Sequence, residues 1–250
     1  MKTIDQVIEK LDLIIKDAEA NNDPAGYFAA LYKKVTIKVK EGIANGYFEN
    51  GPRMEQLDVL FAMRYIDAWE AYKRGTEMSV SWQKAFELTP EYWPIVLQHL
   101  LVGMNAHINY DLGIAAAEIS KDKELDGLHD DFNRINDILS DLVHEVQDNL
   151  SLVWPYLKFI LKLTGKVDDY LVDFSMKLAR DGAWKFAGEY FTGAEADKQS
   201  LLKQRDMRIG EIVKAVTEPG LIAAAILAIV RLTERGTVRE KIRKLKVTSV

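Results

Sequence analysis

Nineteen consecutive residues, Tyr92 to Tyr110, contain no Asp, Glu, Lys or Arg. A helix of that length on a surface would present a charged face, so this stretch belongs inside a bundle with other elements packed around it. Its polar residues are Gln98, His99, Asn105, His107, Asn109 and Tyr110, with Asp111 at its end, and each needs a partner once buried. A chain organised around such a helix, near 91–120, must supply amphipathic helices to enclose it.

Apolar residues Ile4, Val7, Ile8, Leu11, Ile14 and Ile15 recur at helical spacing after Thr3, whose pairing with Gln6 reads as a capping box. Asp23-Pro24 predicts the opening of a second helix reaching Gly46, with Phe28, Leu31, Val35 and Val39 inward. Gly46 to Arg53, with Asn50-Gly51-Pro52, marks a loop, and a third helix follows to Gly75. Ser79 or Ser81 begins a short helix carrying Trp82 and Phe86, and Thr89-Pro90 predicts the start of the buried one. Further helices are predicted at about 125–150, 153–164, 168–191, 195–217 and 221–245. No segment sustains two-residue alternation with β-branched enrichment. The fold class is therefore all-α, a single-domain bundle of about nine to ten helices over residues 1–250.

With 48% hydrophobic and 28% charged residues in 250 positions, the chain can bury a sizeable core. The net charge of −5 argues against nucleic-acid binding, which calls for a basic face. One dense basic run exists, Arg231, Arg235, Arg239, Lys241, Arg243, Lys244 and Lys246. It predicts a solvated last helix with cations toward its C-terminal end, or contact with an anionic membrane surface. The absence of cysteine excludes disulfides, thiolate metal sites and a cysteine nucleophile. The first residues alternate charged and apolar groups at helical spacing and do not form a signal core. The longest apolar run, Leu221 to Val230, has ten residues, half of the ~20 that span a bilayer. These features predict a soluble, cytoplasmic protein.

All four histidines, His99, His107, His129 and His144, fall within a 46-residue window. His107 and Asp111 are four apart and project side by side from one helix, as an ion-binding pair or as a hydrogen-bonded structural pair. Gly103, one turn earlier, leaves space for a packed helix or a ligand to approach. On the next helix, His129, Asn133, Asn136, Asp137, Ser140 and His144 share one arc with Asp148 at its margin, and that face holds no Lys or Glu. His144 and Asp148 repeat the spacing of the first pair. If the two helices are antiparallel neighbours, they supply nitrogen and oxygen ligands suited to zinc, manganese or iron. Arg64 and Asp67 interrupt an apolar segment, where Arg64 can bind an anion or pair with a carboxylate of its own or another helix. Arg180 and Trp184 read as core residues, with cation–π contact or plain packing between them.

The segment Gln98 to Leu112, with its Gly-Met-Asn-Ala-His-Ile-Asn core, together with Arg64-Tyr65 and Ser81 to Phe86, resembles an uncharacterised bacterial family defined only as a domain of unknown function. The resemblance covers most of the chain. It implies a shared helical fold and a site drawing on His99, Asn105, His107 and Asp111. More remotely, Gly103-x-x-x-His107-x-x-x-Asp111 and His144-x-x-x-Asp148 look like the ligand pattern of zinc-dependent phospholipase C and P1-type nucleases. Those enzymes carry a further histidine soon after the first aspartate, where this chain has Gly113, Ile114 and three alanines. The resemblance thus carries over His107, Asp111, His144 and Asp148 as ligands, and not a three-metal mechanism.

Two readings of function compete. The first is a metal-dependent hydrolase acting on a phosphoester or other anionic substrate, with His99 or Asp137 as base and Arg64 steadying the substrate. The second is a non-catalytic protein holding a small apolar or amphipathic ligand in a polar-lined cavity that includes Asn105, Asn109, His129, Asn133 and Asn136. Trp69, Trp82, Trp93, Trp154 and Trp184 are available as walls. No nucleophile elbow or glycine-rich phosphate loop occurs.

Overall fold

Helical periodicity dominates the sequence, and the computed structural model contains eleven α-helices and no strand among its described residues, 1–120, 124–156, 176–218 and 220–247. The side chains of Ser140, Val143, His144, Met176, Lys177 and Ile222 are outside that description. The helices are α1 (Ile4–Asn21), α2 (Gly26–Ala44), α3 (Gly51–Arg74), α4 (Val80–Glu87), α5 (Val96–Ala106) and α6 (Leu112–Ile119). A π-helical turn, His107–Asp111, joins α5 to α6. After a 3₁₀ turn come α7 (His129–Val153), α8 (Met176–Thr192), α9 (Glu195–Thr217), α10 (Leu221–Thr233) and α11 (Val238–Leu245). The predicted helix at 153–164 and the first part of that at 168–191 lie outside the described residues. No helix among the described residues is long and apolar enough to cross a membrane.

Short-range chemistry sets most helix starts. Thr3 accepts from Gln6 N, while the Gln6 side chain turns to Lys2 N, so half of the expected box forms. Asn50 caps α3 by accepting from Arg53 N at 3.0 Å, and Ser79 caps α4. Four boundaries differ from expectation, the first being α3, whose opening turn takes in Gly51 and Pro52 from the expected loop because proline suits a helix's first turn. The buried helix starts at Val96 because Pro94 disfavours helical geometry at Trp93. Thr89 turns back instead, donating to Phe86 O at 2.9 Å to close α4, and Gln98 caps α5 by accepting from Ile95 N. Asp23 accepts from Ala25 N and so holds the turn before α2, which begins at Gly26. Residues 221–245 form two helices, broken at Gly236 (φ 98°), with Thr237 and Glu240 making a capping box for α11. That break and the π turn raise the helix count above the expected nine to ten.

Two large apolar clusters build most of the interior, and two smaller ones seat α9 through Val213 and Ile209. Of the large ones, one joins α1 to α5 through Leu11, Ile14, Phe28, Tyr65, Trp82 and Leu100. The other joins α6, α7 and α8 through Leu112, Ala116, Phe132, Leu139 and Ala183. Phe61 and Met104 pack against both, so the buried helix runs along their seam. Close approach to α8 depends on Gly113, where a Cβ would stand 2.6 Å from Ala183 O. On another side α9 docks by polar contacts: Gln98 donates to Val216 O at 2.8 Å and Asn105 to Ile209 O at 3.0 Å. Asp206 of α9 accepts from the first amides of α4, Val80 N and Ser81 N.

The basic terminal run is not simply solvated. Lys241 is buried against Glu234 at 2.6 Å, while Arg243 and Lys246 reach Glu19 at 3.2 and 2.5 Å. Arg239 donates to Glu19 O at 2.8 Å, so the cations close the end of the chain onto the C-terminal end of α1.

Candidate functional site

The π turn comprises the five residues that carry the His107–Asp111 pair. In such a turn the backbone bond runs from Leu112 N to His107 O, one residue longer than in an α-helix, and these turns recur at functional sites. Arg205 of α9 donates to Asn109 O at 2.9 Å, and Asn109 donates to Asn105 Oδ1 at 3.0 Å. Asn105 and Asn109, expected to line a pocket, thus hold the π turn against α9.

Asp111 is buried and accepts three hydrogen bonds from three elements. Arg64 Nε of α3 reaches Oδ1 at 3.0 Å, and Trp82 Nε1 of α4 reaches Oδ2 at 2.8 Å. His107 Nδ1 lies 3.2 Å from Oδ2. A carboxylate paired with arginine can only accept, so Nδ1 carries the imidazole proton and Nε2 is left with a lone pair. Burial, opposed by Asp111, pushes His107 below its ordinary value, which keeps the ring neutral. Arg64 therefore meets a carboxylate from another helix, not Asp67.

Aromatic rings enclose His107. Phe61 stacks on it at 3.6 Å between centroids, Tyr32 meets it edge-on at 4.4 Å, and Phe28 at 5.6 Å. Gly103 makes room for Phe28, since a Cβ there would lie 2.7 Å from the Phe28 ring. The neighbour that approaches Gly103 is thus α2. Within this box Nε2 of His107 has no hydrogen-bond partner, and neither do Tyr32 Oη, Tyr65 Oη and Asp58 Oδ2, all buried. Burial pushes the Asp58 carboxyl up to about 8, and burial together with Asp58 raises the Tyr32 phenol well above its usual range. At neutral pH Asp58, Tyr32 and His107 are uncharged at this junction.

The other expected site residues are elsewhere. His99 is buried in α5 with its ring 5.6 Å from Tyr27, and burial pushes it down to about 3. Asp137 is exposed and accepts from Tyr47 Oη at 2.7 Å. His129 is exposed on α7, 3.2 Å from Asn133 Nδ2 and 4.8 Å between ring centroids from Trp184. Asn136 Oδ1 is buried without a partner, and Asp148 is exposed. His144 belongs to α7 by its backbone, and its side chain lies outside the described atoms. None of His99, His129 and Asp137 bonds to the Asp111 network, and α7 packs on α2 and α11. Among the described residues, no three His, Asp or Glu side chains converge as a metal-holding group. Arg180 lies over Phe132 at 4.4 Å, not over Trp184, and donates to Phe132 O.

Tyr32, Asp58, Phe61 and Tyr65 were not foreseen at the site. Asp58 was findable: Met54, Asp58, Phe61 and Tyr65 share the inward stripe of α3, so a carboxylate occupies a core position. Tyr32, one turn after Phe28, carries no comparable signal.

An all-helical bundle with a buried, carboxylate-held histidine on a π turn is the class of protein that these features define. Residues 4–219 match the family described as "Family of unknown function (DUF5995)", and the chain belongs to that family. Neither a curated protein nor a solved structure matches the chain.

Proposed function

We propose that the junction of α2, α3 and the π turn binds a small uncharged molecule with an apolar body and a hydrogen-bonding head, and that this chain is a ligand-binding helical protein. One observation carries the reading: Tyr32 Oη, Asp58 Oδ2 and His107 Nε2 are all buried without a hydrogen bond, Tyr32 meeting the His107 ring edge-on and lying near enough to Asp58 to feel its charge. Native interiors rarely leave such atoms unpaired, and a bound molecule or ordered water completes them. Protonated Asp58 and the Tyr32 phenol offer donors, and Nε2 offers an acceptor. Arg64, the cation that acts on His107, is already paired with Asp111, which argues against an ionised phosphoester substrate.

Phenol is a suitable probe, since its ring matches the aromatic wall and its hydroxyl suits Nε2. The ¹⁵N resonance of His107 Nε2 is expected to move on adding phenol and to stay put with inorganic phosphate. Native mass spectrometry is expected to show a retained small molecule or, after stripping, bound phenol that His107→Phe loses. No shift with phenol, combined with no retained molecule, would mean that water alone fills the junction and the reading fails.

A metal reading rests on the same atom, because a carboxylate holding Nδ1 is the usual support behind a metal-ligating Nε2. Zinc, manganese or iron would then draw on Asp58 and Tyr32, since both Asp111 oxygens already accept from Arg64 and Trp82. Elemental mass spectrometry on tag-free protein separates the two. Near-stoichiometric metal that is lost in His107→Ala favours the hydrolase, whereas no uptake after incubation with these ions leaves the neutral ligand.

A further inference from the structure

We propose that α10 and the aromatic residues beside it form a surface that docks on an anionic lipid bilayer. The helix carries no charge from Leu221 to Val230, yet its apolar side chains face outward: Leu221 is 92%, Leu232 67%, Ile229 59% and Ile226 47% exposed. Of its described side chains only Val230 is buried. A stripe of this kind is a site of association, not ordinary surface.

Two further segments extend the stripe. Arg231 lies over the Tyr92 ring at 4.5 Å and sets exposed Tyr92 and Trp93 along one flank. On the other, Trp154 donates to Thr233 Oγ1 at 2.7 Å and Arg235 N donates to Val153 O at 2.9 Å. Those bonds bring exposed Leu152 and Tyr156 to the C-terminal end of α10. Rings with one apolar and one polar side suit the boundary between lipid tails and headgroups.

Charge selects the occupant. Residues 221–247 hold seven Arg or Lys and two Glu, a net of +5. Lys241 is taken up by Glu234, and Arg243 and Lys246 by Glu19. Exposed Arg235 and Arg239 carry no ion pair of that kind among the described residues and are the cations open to headgroups. An apolar face joined to a basic cluster is the pair of features that together hold a protein on anionic lipid. A second copy pairing through the same face would bring two net-positive regions together.

Co-sedimentation with phosphatidylcholine vesicles, with and without phosphatidylglycerol, tests this on the full chain. Binding is expected to the anionic vesicles and to weaken with salt. Ile229→Asp and Leu232→Asp, both at exposed positions, are expected to lower the partition coefficient about tenfold or more while leaving the thermal melt unchanged. Absence of binding, or equal binding by parent and variants, overturns the proposal. So does a dimer in light scattering that Ile229→Asp dissociates, since a second copy would then cover this face.

Discussion

Asp111 takes donors from α3, α4 and its own turn, and that convergence decides which edge of His107 stays free. Trp82→Phe keeps the ring but removes the indole donor, leaving Oδ2 to His107 alone. Loss of a buried bond to a charged acceptor is expected to cost about 1.5–3 kcal/mol in urea unfolding. Gly103→Ala tests the enclosure. Alanine gains roughly 0.5–1 kcal/mol over glycine within a helix, but its Cβ would stand 2.7 Å from the Phe28 ring. Phe28 in turn touches Tyr65, Trp82 and His107, so it has little room to yield. Overpacking of about 1–3 kcal/mol should win, giving net destabilisation by the same measurement. The His107–Asp111 pair and the open space at Gly103 were legible from spacing alone. Its partners were not, because Trp82 and Phe28 arrive from helices whose mutual placement no local pattern encodes.

Helices are legible where a cap and a periodic face agree, as at Thr3 and Ser79. They are misread where two signals compete. Apolar periodicity continues through 221–245, yet Gly236 with a left-handed φ and the Thr237-x-x-Glu240 box restart the helix. That box was visible in the sequence and outweighed periodicity. Thr237→Ala removes the side-chain acceptor for Glu240 N and is expected to cost about 1 kcal/mol, read as a lowered urea midpoint. The loss should be felt beyond α11, whose Ile242 is fully buried beside Gly26. The π turn had no sequence signature, since it arises from how Arg205, Asn105 and Asp111 tie it to neighbouring helices.

At the scale of the molecule, buried ionisable groups make stability depend on pH from both sides. His99 is depressed from 6.5 to about 3 and His107 is also depressed, so their neutral forms support the fold above 6.5 and that support is lost as pH falls. Asp58 acts in the opposite sense. Its folded value, about 8, is above the ordinary 3.8, so the folded chain holds a proton that the unfolded chain has released. Stability therefore falls as pH rises from about 4, and the full penalty is reached above about 8. At pH 6.5 the unfolded histidines are still half protonated, so their neutralisation offsets part of the Asp58 effect at first, and Asp58 dominates as pH approaches 8. The net decline in urea unfolding stability from pH 6.5 to 8 is therefore expected to be about 1 kcal/mol. Asp58→Asn should flatten it, because the amide keeps the shape and cannot ionise. A decline that persists in the variant would assign the proton to another group and remove the neutral carboxyl from the junction of α2 and α3. A flattened profile would place a protonated carboxyl beside Tyr32, the donor that the proposed uncharged ligand requires.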